Sequence, residues 1–238
     1  MTDIDVVPID RLDLTYTPRP WPFADYRRGE IDAHFAELRR RTPELWNGRV
    51  LMLRDFAIAD GVFRGSYFET DFASLLAWRD WNFPDASVKS SFAMGALRGS
   101  DGGFVVGVMG SHTANAGNIY FPAGTPDPGD IVGDKVDLTG SVLREVAEET
   151  GLTSSDFTAE PGWFTVFAGP RIPQMKVLHA NADAAELRAR ILDHLAREKE
   201  PELSDVRIVR SPADFDPMMP PFMTAFLTYI WRKKTADR

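Results

Sequence analysis

The chain has no cysteine in 238 residues. That absence excludes disulfides and thiolate metal sites and fits a reducing compartment, so a cytoplasmic protein is expected. Long apolar runs are missing as well. No stretch approaches the roughly 20 residues of a membrane-spanning helix, and the opening MTDID lacks the basic and apolar segments of a secretory leader. Positive charge is scarce: Lys and Arg number 27 against 35 Asp and Glu, giving a formal net charge of −8, and the basic residues are scattered. Nucleic acid and membrane surfaces, which are bound through basic patches, are therefore not expected partners. An anionic small molecule would have to be received through metal ions or a local group of arginines. Repeats and low-complexity tracts are also absent. What is present is 44% hydrophobic, 26% charged and includes six tryptophans, enough for a sizeable core.

The most informative stretch runs from Arg144 to Leu152, R-E-V-A-E-E-T-G-L. On a helix each residue advances about 100°, which places Glu145, Glu148 and Glu149 in one sector with Arg144 on its edge. Val142, Leu143, Val146 and Ala147 take the other side, an amphipathic partition. A solvated acidic face is the bland reading, and energetics argue against it. Glu145 and Glu149 are like charges four apart, compensated only by Arg144 with Glu148. Gly151 is placed to end the helix in the left-handed conformation, so the acids crowd the negative end of its dipole. An arrangement unfavourable in two ways is what a bound cation would offset, and all-oxygen ligands point to Mg²⁺ or Mn²⁺.

At these residues the chain resembles the Nudix hydrolases, whose signature is a glycine, five residues, a glutamate, seven residues, then R-E-U-x-E-E-x-G-U with U aliphatic. The second half matches at every specified position, with Val146 and Leu152 as the aliphatics. The first half is expanded: Asp130 is followed by thirteen residues before Arg144, while Asp137 lies one position out of register with the family's acid. The first acid of the motif is thus Asp137 or Asp130, with Asp137 preferred because it stands where the helix should begin. The resemblance implies an α+β fold, an α/β/α sandwich with a mixed sheet. It also implies catalytic Glu145, Glu148, Glu149 and Arg144, with metal held by the three glutamates and the carbonyl of Gly124. The implied activity is Mg²⁺-dependent hydrolysis of the diphosphate linkage of a nucleoside diphosphate joined to another moiety.

The stretch Gly65 to Asp71, G-S-Y-F-E-T-D, followed by Trp78, resembles a mammalian member of that family that splits UDP-glucose and UDP-galactose and also carries an expanded box. A UDP-sugar, giving UMP and sugar 1-phosphate, is the first choice of substrate; ADP-ribose, coenzyme A and dinucleoside polyphosphates stay open. The competing class is a nucleotide-binding regulator without catalysis. Tyr67 and Arg171 are the substrate-binding candidates, although core packing is the better reading of Tyr67, Trp78 and Trp81, and a lone loop arginine is usually solvated. A homodimer is compatible with the sequence.

In chain order, residues 1 to about 28 read as a proline-rich arm on the surface. A helix over 30–41, a hairpin of 50–58 and 62–67 turning at Asp60-Gly61, and a helix over 71–81 follow. These make an N-terminal α/β extension, 1–88, packed on a hydrolase domain, 89–238. In the second part strands are expected at 91–97, 104–109, 119–121, 163–168, 175–180 and 206–209. Asp183 begins a helix through Lys199 and Pro220-Pro221 opens the last one. His112 reads as a surface residue, and Glu200 or Glu202 as the source of one more carboxylate unless merely solvated.

Overall fold

The computed structural model describes residues 4–236. In chain order these form strands β1 (Asp5–Ile9) and β2 (Arg11–Tyr16), helices α1 (Pro22–Tyr26) and α2 (Arg28–Arg41), and the hairpin β3 (Arg49–Ala59) and β4 (Val62–Asp71). Helix α3 (Phe72–Asp80), β5 (Ala93–Arg98), β6 (Phe104–Met109) and β7 (Ile119–Tyr120) follow. After one turn of 3-10 helix at Pro128–Asp130 come β8 (Ile131–Val132), β9 (Lys135–Val136) and α4 (Leu138–Thr150). The chain ends with β10 (Phe157–Ala159), β11 (Trp163–Phe167), β12 (Gln174–Ala180), α5 (Ala184–Leu195), β13 (Leu203–Val209) and α6 (Pro221–Ala236).

Two sheets organise these elements. The larger runs β1-β11-β12-β5-β6-β13, with β10 beside β12 and β7 beside β6. It is mixed, because β5 and β12 are parallel while the other neighbours are antiparallel. Helix α4 lies against β5, where Gly95 makes room: a Cβ there would sit 2.5 Å from a methyl of Val146. Helix α5 packs beside α4 and over β13. On the opposite face Phe226 of α6 meets Phe104, Phe121 and Phe164 at edge-to-face or tilted angles. The class is α+β, and helices on both faces of a mixed sheet make the expected sandwich.

The smaller sheet runs β3-β4-β2-β9-β8. Its strands alternate as the two-residue side-chain period requires. Leu51, Leu53, Phe63 and Tyr67 join the main core, whereas Val50, Met52 and Phe68 close a second core with Trp21, Ile31, Phe35 and Trp78 beneath α1, α2 and α3. The β3–β4 hairpin turns at Asp60 and Gly61, both at positive φ, which suits the right-handed twist of the flanking strands.

One expectation is corrected here, and two further features take their place in the fold. The surface arm is instead built in: β1 pairs with β11, β2 lies parallel to β4, and Trp21 is buried. Strand β1 belongs to the larger sheet, and residues from both sides of 88/89 share the main core. The expansion between Asp130 and Arg144 is a small hairpin, β8–β9, that extends the smaller sheet at β2. All three depend on pairing or packing with segments remote in sequence, for which local periodicity has no signal. Helix α5 also ends at Leu195 rather than Lys199, as the chain turns toward Pro201 and an earlier start of β13 at Leu203.

Candidate functional site

Helix α4 carries the site because both its ends are fixed. Asp137 caps the start, its carboxylate accepting the backbone N–H groups of Thr139 and Gly140, each at 3.0 Å. Gly151 ends it at φ 69°, and Leu152 folds back into the core. Val142 and Val146 are buried against the sheet, while Leu143, expected in that stripe, is exposed.

The acidic sector faces the loop after β7. Glu149 is 4% exposed; its Oε1 accepts the N–H of Ala123 at 2.9 Å, and its Oε2 is buried with no partner. Glu145 lies so close over Gly124 that a Cβ there would fall 2.2 Å from Glu145 Oε1. Glycine at 124 is thus a condition for the helix acid and the loop backbone to meet. The loop is itself tied to the sheet, Pro122 accepting the N–H of Gly95 at 2.9 Å.

Arg144 settles which acid completes this cluster geometrically. Its guanidinium donates to Asp130 Oδ1 at 2.7 Å and to Glu145 Oε1 at 3.3 Å. Asp130 is buried, and its second oxygen accepts the N–H of Asp127 at 3.1 Å. Asp137, preferred from the sequence, is engaged at the helix N-terminus instead. The β8–β9 hairpin loops out and returns the chain, so that Asp130, separated from Arg144 by thirteen residues, is brought beside it.

Electrostatics follow from crowding acids out of water. Burial pushes the Glu145 carboxyl up to about 7, against the pull of Arg144 and with a further push from Glu148. Glu149 is raised well above the ordinary carboxylate range, first by burial, with the charges of Glu202, Glu145 and Glu148 adding to it. Glu202 keeps an exposed surface yet is raised too, through partial desolvation and Glu148, with His112 pulling it down. The sequence offered Glu202 and Glu200 as extra carboxylates, and both line the cleft beside Glu145, as does His112.

Among the described residues no three His, Asp or Glu side chains converge into a ready cation cage. The donor chemistry nonetheless fits a hard divalent cation: a buried carboxylate oxygen lacks any partner, and its neighbours are carboxylates and a loop backbone. Mg²⁺ is commonly held by one or two carboxylates, with water and substrate phosphates filling the remaining positions.

The cleft has two connected lobes. The acidic lobe, about 390 Å³, is bounded by Glu145, Glu202, His112 and Trp46. Through Tyr120, Ala123 and Gly124 it continues into a lobe of about 340 Å³ with apolar walls, including Phe92 and Phe222, and the side chains of Arg79 and Arg171. Of the two substrate-binding candidates, Arg171 therefore lies on the cleft and Tyr67 does not. Tyr67 is fully buried, with its hydroxyl near the carbonyl of Ser91 at 3.4 Å, because its strand position points into the main core. Sequence reasoning missed Arg79, Asn115 and Tyr120, which carry no motif and meet only through folding.

No family model and no curated protein matches the chain. Among solved structures, it is similar to the Nudix hydrolase RenU from M. smegmatis, with a TM-score of 0.40 and 14% identity, over 63% of this chain and 86% of that one. It is similar also to the MutT protein from Methanosarcina mazei Go1, with a TM-score of 0.40 and 16% identity, over 61% of this chain and 95% of that one. Values so low assign no activity to this chain; its side chains have to.

Proposed function

We propose that the protein hydrolyses the diphosphate linkage of a nucleoside diphosphate joined to another moiety, using Mg²⁺ or Mn²⁺ held by Glu145, Glu148, Glu149 and the Gly124 carbonyl. The observation that carries this reading is Glu149, buried behind the loop at Ala123 with one oxygen satisfied by that backbone N–H and the other without a partner. A buried, half-satisfied carboxylate beside two more acids costs stability unless a cation is meant to be there. When bound, that cation would neutralise phosphate oxygens and make water a better nucleophile.

The chain's own residues divide the remaining work. Asp130 holds Arg144, and Arg144 fixes Glu145 through one hydrogen bond. Ala123 fixes Glu149 in the same way. Glu148 is exposed on the same helix, one turn from Glu145, and would accept the proton that the attacking water gives up.

A UDP-sugar is the first choice of substrate, supported by the resemblance of Gly65 to Asp71 and Trp78. Those residues build the smaller sheet and the two cores on its faces rather than the cleft, so the support concerns the scaffold and not a sugar contact. The regulator reading drew on the interrupted motif, and the Asp130–Arg144 pair weakens that motivation. The test is a panel of UDP-sugars, ADP-ribose, coenzyme A and dinucleoside polyphosphates incubated with Mg²⁺ or Mn²⁺, with products separated by chromatography. Release of a nucleoside monophosphate is expected from a UDP-sugar. Tight binding with no monophosphate released over hours would establish the regulator instead.

A further inference from the structure

The apolar lobe is lined by two cations, of which one lacks an acid partner among the described residues. Arg171 projects into it from the turn between β11 and β12, half-buried, its guanidinium 5.3 Å from the ring centroid of Phe83. Among the described residues no carboxylate comes within ion-pair distance of it. Arg79 approaches from the end of α3. Its Nε is paired with Asp80 at 2.8 Å, and a terminal nitrogen reaches Asn115 Oδ1 at 3.5 Å. Asn115 in turn donates to the Tyr120 hydroxyl at 3.2 Å, and Tyr120 lies on the boundary between the two lobes.

In a protein of net charge −8, arginines on a cleft wall ordinarily find acids. Arg79 does so through Asp80, whereas Arg171 does not. Burial holds Arg171 below its usual basicity, and the charge of Arg79 adds to that effect. A desolvated guanidinium with no acid of its own and a second cation beside it is costly unless an anion joins them, and guanidinium groups bind phosphate and carboxylate in a fork.

We infer that Arg79 and Arg171 form an anion subsite that takes a phosphate or carboxylate of the substrate on the side of the cleft away from the acids, with the adjoining apolar wall receiving an uncharged part of the same molecule. This rests on the proposed reading of the cleft as a nucleotide site, and it deepens that reading. The substrate spans both lobes, one anionic group toward the acids and one on the arginines. The second anion is either the far phosphate of the diphosphate or an acid group on the attached moiety.

Calorimetric titration of the full chain in EDTA tests this apart from hydrolysis, with uridine, UDP, UDP-glucose and UDP-glucuronic acid as probes. UDP is expected to bind at least tenfold more tightly than uridine in the wild type. Arg171→Gln and Arg79→Gln should each weaken UDP binding by about tenfold or more, the range of a lost charge-assisted hydrogen bond, while Arg171→Lys, which keeps the charge without the fork, should lose less than Arg171→Gln. Melting curves select the variants that fold, and either glutamine variant suffices. An equal penalty for UDP-glucose and UDP-glucuronic acid identifies the diphosphate as the guest, and a larger one for UDP-glucuronic acid identifies the attached acid. Equal binding of uridine and UDP, no UDP binding at millimolar concentration, or unchanged affinity in the folded glutamine variants overturns the inference. Turnover with metal is scored separately. Hydrolysis with unaltered binding in the variants defeats only the subsite, and arginine-dependent binding without hydrolysis defeats only the enzyme reading.

Discussion

The acids on α4 have different neighbours, and single substitutions should separate them. Glu149 has one oxygen bonded and one free, so Glu149→Gln keeps the shape and one acceptor but removes the charge. The rate on the best diphosphate substrate is expected to fall at least about a hundredfold, with nucleotide affinity in calorimetry changing much less, because the lost charge acts on the transition state. A parallel loss of affinity and rate would instead make Glu149 a general binding residue. Asp130 and Asp137 give a second contrast. Asp130→Asn exchanges the charged partner of Arg144 for a neutral one and should lower turnover by about tenfold or more, along with the melting temperature. Asp137→Asn should do little, since asparagine caps a helix as well as aspartate does. The opposite ranking in steady-state rates and melting curves would move the first acid back to Asp137.

At the scale of elements, the site is a clamp between a helix and a loop. Helix α4 supplies the acids, the loop after β7 supplies a backbone N–H and a glycine, and the β8–β9 hairpin determines where Asp130 arrives. Gly124→Ala probes the clamp without touching a charge. Its Cβ must displace the Glu145 carboxylate, the end of a flexible side chain, so the melting temperature should move little. Turnover should nevertheless drop by about ten- to a hundredfold, because a displacement of an ångström at a catalytic group has that effect. Full activity in the alanine variant would show that Glu145 has freedom to reposition.

For the whole molecule, the buried acids of α4 make stability depend on pH and cations. A carboxyl whose folded-state pKa lies above its unfolded value destabilises the folded form fully above the folded pKa, and the cost is relieved as pH falls through it. For Glu145 that value is about 7, and Glu149 is raised as well. In EDTA the melting temperature is therefore expected to rise between pH 8 and pH 6. A divalent cation bound only by the folded state acts by mass action. Millimolar Mg²⁺ at pH 8 should thus raise the melting temperature of the wild type, and that of Glu149→Gln by much less. If the two proteins respond alike to Mg²⁺, the cation site lies elsewhere.

The sequence by itself determined what local physics controls. Helical spacing placed Glu145, Glu148 and Glu149 on one face of α4, Gly151 ended it, and Asp60-Gly61 turned the β3–β4 hairpin. Strand and helix periods are short-range signals, and these elements lay near where the periods put them. Tertiary structure alone decided the rest. It wove β1 into the larger sheet, made the β8–β9 hairpin an edge of the smaller one, and set Asp130 rather than Asp137 on Arg144. It also turned Tyr67 into the core and brought Arg79 from α3 and Arg171 from a distant turn onto one cleft wall. The reason is that pairing and convergence depend on where remote segments meet. Those meetings are selected by burial summed over the whole chain, and no window of a few residues contains that sum.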